Sequence, residues 1–297
     1  MTRPFLLSKT LMTEYFSFQA ALCFSIAHIF IRRGLVESNA MTGAFISLSM
    51  TAGVLWCLVP FFVPLSALWT PWIGIFIIAG IFAPGIGRTL SYVGIEKIGV
   101  ARSVPIVNSS PIFASVFAVI FLGETWGLQN IVGTLLVISG VITLSLGKPA
   151  KGDWRKIDVV FPVIGAVAFG TSANLRKAGL GFVPFPILAA AVTAGAAALF
   201  SFILIRVRGG TANFQLTPKS ARWLFSAGAI NTAATLSVFY ALSYGKVVIV
   251  EPLVSFNPVI TLTLTAIFLR DLEALNLRVI AGALLTVTGT ILVVTAK

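Results

Sequence analysis

The sequence predicts an all-α polytopic membrane protein, with ten transmembrane helices in two inverted five-helix repeats. Three observations predict it. Hydrophobic residues make up 58% of the 297-residue chain and charged residues only 10%, at a mean hydropathy of +1.01, whereas soluble domains are roughly a quarter charged. Ten apolar runs of spanning length follow one another with short gaps. The second half also restates prolines, an acid and glycines of the first. A water-soluble core could not hide this much apolar side chain, so the surplus faces lipid.

A bilayer core of roughly 30 Å takes about 20 residues of helix. Glycine, proline and charge clusters bound the runs at 15–33, 41–63, 71–95, 99–122, 127–146, 157–177, 184–206, 221–244, 246–269 and 275–295. Continuous apolarity without a period of two argues against strands. The opening MTRPFLLSKTLMTEYF has no short apolar core with a small-residue cleavage site and reads as a leader into the first span. Gaps as short as EKIGV, LGETW and SYGKV make neighbouring helices antiparallel hairpins. The longest polar gap, LGKPAKGDWRKID at 146–158, divides the chain into 1–147, a basic linker at 148–156, and 157–297. Five spans in each half is an odd number. Two halves of one fold must then enter the membrane from opposite sides, a plan common among secondary transporters.

The repeat is specific. With Pro111 set on Pro258, Pro105 falls on Pro252, Ile120-Phe121-Leu122 on Ile267-Phe268-Leu269, and Glu124 on Asp271. After a two-residue shift GTLLVISG (133–140) lies on GALLTVTG (282–289); Tyr92 approaches Tyr240, and RRGL (32–35) resembles KAGL (177–180). Each proline removes a backbone donor and disturbs the preceding turn. The freed carbonyls must be covered by neighbours or line a wet cavity, and such breaks often mark a transporter's substrate site; a purely structural kink is the alternative. Glu124 and Asp271 stand where a carboxylate suits a helix N-terminus.

These motifs, PIFASVFAVIFLGE with GTLLVISGV and PVITLTLTAIFLRD with GALLTVTGTIL, resemble the drug/metabolite transporter superfamily, in particular its ten-helix EamA-like branch. FLRD departs from the Gly-Glu that the family more often repeats. The resemblance implies a central cavity between two inverted units, lined mainly by spans 1, 3, 4, 6, 8 and 9. It also implies carriage of small metabolites, often exported by exchange or proton coupling.

A charged side chain at mid-bilayer costs on the order of 2.5–3.5 kcal/mol on insertion scales, so those present need partners or water. APGIGRTLSY places Arg88 and Tyr92 one turn apart in span 3; in span 4, Arg102 shares a face with Pro105 and Ser109, with Asn108 slightly aside. No acid of similar depth accompanies the two arginines, and paired guanidinium groups near one cavity attract carboxylate or phosphate. Asn174, Arg176 and Lys177 end span 6, and Glu251 begins span 9 as the most deeply placed acid. Arg176 and Glu251 could form a gate, Glu251 could carry a coupling proton, or the two basic residues could simply snorkel. His28, the sole histidine, with Asn231, Ser255 and Asn257, completes the candidate substrate-binding set; the other reading for these is hydrogen bonding across helices.

The net charge of +12 reads as loop topology, and nucleic-acid binding is not expected. The expected partners are a small-molecule solute and the lipid bilayer, with a homodimer left open; the expected location is the cell (inner) membrane. No cofactor or metal is expected, since Cys23 and Cys57 sit singly in apolar runs. An intramembrane enzyme would need clustered His, Asp, Cys or Ser chemistry that is missing here, and without a P-loop ATP is not the direct energy source. The leading reading is a secondary transporter, exporter or exchanger, of a small anionic or zwitterionic metabolite; a lipid flippase or passive channel on the same fold is the alternative. Loops 1–2, 3–4, 5–6, 7–8 and 9–10 carry about thirteen Lys and Arg against about six on the side of the termini, which puts both termini outside the cytoplasm; the resemblance implies the reverse.

Overall fold

A computed structural model describes residues 3–110, 112–113, 127–145, 155–207, 214–244, 250, 253–254, 256–272 and 276–295. Every regular element among them is helical. The first half supplies α1 (Arg3–Gly34), α2 (Ala40–Phe62), α3 (Ile73–Gly80), a π-turn (Ile81–Ile86), α4 (Gly87–Ile98), α5 (Val100–Val107) and α6 (Leu128–Ser145). The second supplies α7 (Val160–Phe182), α8 (Pro186–Val207), α9 (Pro218–Tyr244), α10 (Asn257–Phe268) and α11 (Leu277–Thr295). Among the described residues six stretches are long and apolar enough to cross a membrane: Leu11–Gly34, Ala40–Phe62, Ile73–Ile98, Lys156–Phe182, Pro186–Val207 and Pro218–Tyr244. Shorter apolar helices cover Ile131–Leu144, Asn257–Phe268 and Leu277–Leu292. Pro111, Glu124, Glu251, Pro252 and Ser255 lie outside the described residues, as does the last part of the fourth predicted span, 114–122.

Helix α1 starts well before the predicted span because FLLSKTLMTEY has neither Gly nor Pro to stop it. Asn39 caps α2 by accepting from the Thr42 N–H at 2.9 Å. The cap of α11 is Asn276, which accepts from the Val279 N–H at 3.0 Å. Asp271, expected in that role, lies five residues earlier and accepts two hydrogen bonds from the Arg33 guanidinium, at 2.6 and 3.0 Å.

The third predicted span is broken. Ala83 is extended (φ −151°, ψ 123°) and Pro84 follows it, so a donor is lost where the helix should continue. The freed carbonyls are covered from the other half: the Ser172 hydroxyl on α7 is 2.8 Å from the oxygens of both Ala79 and Ala83 and can give its proton to either. Ser172→Ala is expected to cost about 1–3 kcal/mol, the penalty for a buried acceptor left unsatisfied, read as a lower melting temperature in detergent. At the α4–α5 hairpin, Gly99 has φ 85°, a left-handed geometry that side-chain-bearing residues adopt only with strain.

The two halves pack by exchange. Helix α1 lies along α9, and α7 lies along α3 and α4; α2 meets α8, α5 meets α10 and α6 meets α11. The α6–α11 crossing shows the pattern at atomic scale. A methyl group on Gly140 would meet Thr286 Oγ1 and lie 2.7 Å from the Gly282 carbonyl oxygen; one on Gly289 would lie 2.5 Å from the Gly133 oxygen. In the sequence repeat Gly133 corresponds to Gly282 and Gly140 to Gly289. Swapping the halves therefore turns one contact into the other, as at an isologous two-fold interface.

One end of the bundle is clasped by charge. Three ion pairs among the described residues, Arg33–Asp271 at 2.6 Å, Lys97–Asp158 at 3.5 Å and Lys219–Glu37 at 2.9 Å, each join the first half to the second. The hydrogen bond from Lys219, then that from the Thr217 hydroxyl, hold the Glu37 carboxyl below its ordinary range. Stability from a carboxylate depressed in this way is present near neutrality and is lost as pH falls through its folded-state value. The protection of the Ser220 and Ala221 amides from hydrogen exchange, taken relative to the intrinsic rate at each pH, is accordingly expected to fall on acidification in the wild type, and to respond less in Glu37→Gln.

Candidate solute-binding site

Polar side chains on α1, α2, α4, α9 and α10 converge inside an otherwise apolar bundle. Tyr92 on α4 donates its hydroxyl to Ser47 Oγ on α2 at 3.1 Å. Asn231 Nδ2 on α9 is 3.1 Å from both the Ser47 and Tyr92 oxygens. One turn further, the Thr232 and Thr51 hydroxyls are 3.3 Å apart. Tyr92, Ser47 and Asn231 are all buried, so this network ties α2, α4 and α9 together with its donors largely satisfied.

Arg88 lies one helical turn before Tyr92 and is only 8% exposed. Its Nη1 has no hydrogen-bond partner, and no carboxylate among the described residues pairs with it. A buried cation normally has such a partner, because taking it from water costs several kcal/mol. On α1, His28 lies in the field of Arg88 and beside the Asn257 side chain of α10. Asn257 is itself held: its Oδ1 accepts from the Thr261 hydroxyl at 3.0 Å, and its carbonyl lies 3.0 Å from Ser25 Oγ.

Five of the sequence-predicted residues thus come together: Arg88, Tyr92, Asn231, His28 and Asn257. Arg102 is buried on α5. The Ser103 hydroxyl approaches the Ser91 carbonyl at 3.3 Å, so in this hairpin register Arg102 lies about 6 Å along the axis from Arg88, toward the Gly99 turn. Asn108 and Ser109 bond the Val104 and Ile106 carbonyls of their own helix, at 2.9 and 2.6 Å. They finish α5 where the chain runs toward Pro111. Arg176 lies away from the cluster with its guanidinium over the Phe239 ring at 5.9 Å, while Asn174 is exposed and its Nδ2 is 3.4 Å from the Gly170 carbonyl. Ser255 and Glu251 fall outside the described residues. Ser47, Ser25, Thr51 and Thr261 escaped sequence reasoning, because a lone hydroxyl in an apolar run most often bonds its own helix.

Over residues 11–146, and again over 157–295, the sequence matches the EamA-like transporter family. The chain belongs to that family. It is therefore a multi-pass membrane protein of a family that transports small solutes across membranes, a transport family and not an enzymatic one. The two matched segments coincide with the two halves that exchange in the packing. A solved crystal structure aligns with a TM-score of 0.60 over 94% of this chain and 95% of its own, at 17% identity; so low an identity speaks for the fold alone. No curated protein matches the sequence.

Proposed function

We propose that this EamA-like protein is a secondary transporter of a small anionic or zwitterionic metabolite, an exporter or exchanger in the cell membrane. In this reading two inverted five-helix repeats enclose a central cavity and rock about it to expose the solute to each side in turn. The exchange of packing partners between the halves, and the swapped glycine contacts at α6–α11, support the inverted arrangement. The observation that carries the solute class is Arg88: a guanidinium 8% exposed, deep in a spanning segment, without a carboxylate partner among the described residues. Its planar fork matches carboxylate or phosphate, and a burial this costly is sustained where the charge is used.

The Ser47–Tyr92–Asn231 network supplies hydroxyl and amide groups beside that charge, suited to a polar metabolite and poorly suited to a lipid tail. Arg102, Asn108, Ser109, Ser255 and Asn174 belong to this reading as wider lining, and Arg176 with Glu251 as a gate. The test is uptake into proteoliposomes from a panel of labelled carboxylates, zwitterions, neutral sugars and cationic amines. Saturable uptake of an anion or zwitterion, accelerated by the same solute inside the vesicle, is expected. Trans-acceleration marks a carrier; linear, unaccelerated flux would mean a channel, and movement of lipid analogues alone would mean a flippase.

A further inference from the structure

Besides Arg88 Nη1, a second buried nitrogen in this cluster has no hydrogen-bond partner: Nδ1 of His28. The two atoms come from different helices, and His28 lies within the field of Arg88 with Asn257 at its side. The direction of the imidazole is fixed along α1. One turn before it, Ser25 Oγ lies 2.7 Å from the Ala21 carbonyl of its own helix and 3.0 Å from the Asn257 carbonyl, and can give its proton to either; one turn after it, Arg32 Nη1 donates to the Ile95 carbonyl at 3.2 Å. The stripe Ser25–His28–Arg32 thus faces α10 and α4.

The charge around that face is one-sided. Helix α4 brings Arg88 and Tyr92, with Glu96 and Lys97 at its far end; Glu96 there accepts from the Ala40 N–H at 3.0 Å. Helix α5 brings only Arg102, α9 has no ionisable residue between Arg222 and Tyr240, and α10 has none at all. A proton on His28 would place a second cation beside Arg88, with no carboxylate among the described residues paired with it to offset it. An anion seated between the two would accept from both and remove that repulsion. Binding of anion and of proton at this site is therefore mutually favourable, and such linkage is reciprocal.

We propose that His28 and Arg88 together hold the carboxylate of the transported solute, and that His28 takes up one proton as the anion binds, so that the solute crosses accompanied by a proton. This rests on the anion reading of the site given above. The proton comes from the aqueous phase on the loading side and bonds to Nδ1; no bond in the solute breaks. On release, carboxylate and proton leave together, and guanidinium and neutral imidazole remain. A monocarboxylate then moves without net charge.

His28 is the only histidine of the chain, so histidine-labelled protein in nanodiscs gives one imidazole spectrum, and acetate serves as the minimal carboxylate probe. In the wild type, acetate is expected to shift that spectrum saturably toward imidazolium, with one proton taken from weakly buffered solution per acetate bound. Arg88→Gln is expected to lose both responses. His28→Gln is expected to keep acetate binding, about tenfold weaker at acid pH, and to lose the proton uptake. Acetate binding with unchanged pH dependence in His28→Gln would overturn the proton coupling and leave the Arg88 anion site standing. A wild-type imidazole spectrum indifferent to bound acetate would overturn it too, without needing any variant to fold. Acetate that fails to bind at all would overturn this proposal and the anion reading together.

Discussion

Replacing Arg88 by Gln is expected to lower saturable solute uptake by about thirty-fold, the equivalent of roughly 2 kcal/mol for a hydrogen bond to a charged group. The side chain is buried, and its Nη1 has no partner whose loss would unfold the bundle. Removing its charge also removes a burial cost from the folded state. Thermal stability in detergent is therefore expected to hold or rise while uptake falls, and that opposition of signs is diagnostic. A structural arginine would lower both together. Arg88→Lys keeps the charge but loses the planar fork, and is expected to fall between Gln and the wild type. Uptake of the best anionic substrate at wild-type rates by Arg88→Gln would remove Arg88 from the site. Asn231→Leu, by contrast, strips donors from both Ser47 and Tyr92 and is expected to lower stability and uptake alike.

The largest effect on folding is expected at the α6–α11 crossing. Gly140→Ile would drive a branched side chain into Thr286 and into the Gly282 backbone, where even a methyl would lie 2.7 Å from the carbonyl oxygen. Backbone atoms of a helix cannot swing aside as a side-chain tip can, so the helices must separate. Overpacking typically costs 1–3 kcal/mol and occasionally more, and close approach of small residues is what holds membrane helices together. Gly140→Ile is expected to yield largely unfolded or aggregated protein on size-exclusion chromatography. Gly289→Ile, its counterpart against Gly133 and Val137, should do the same. Gly53, around which a methyl would meet nothing within 4 Å, is the control: Gly53→Ala should be tolerated.

Much of this architecture was legible in the sequence, because membrane spans write themselves as long apolar runs and a repeat writes itself as shared punctuation. The glycines of GTLLVISG and GALLTVTG align as equivalents, and they prove to be the points where α6 and α11 touch. Arg88, Tyr92, Asn231, Asn257 and His28 stood out because polar groups are rare at that depth. The Ser47 hydroxyl did not stand out, since nothing along α2 indicates that a tyrosine and an asparagine from two other helices will meet it. Asp271 was misassigned to a cap, because its bond to Arg33 spans 238 positions of sequence and local spacing carries no trace of it. Ser172 was invisible for the same reason, its two carbonyl neighbours lying across the bundle.

The ion pairs at one end have a consequence for how the protein rests. Arg33–Asp271, Lys97–Asp158 and Lys219–Glu37 all cross between the halves, and all are at least partly in contact with water. Dissolved electrolyte weakens such pairs, the Debye length shrinking from about 10 Å at 0.1 M to about 3 Å at 1 M, while it leaves the glycine seam and the buried hydroxyl network nearly untouched. Brine on that side alone should therefore loosen the contact between the halves at that end of the bundle, making ionic strength a handle that acts on the molecule from one face.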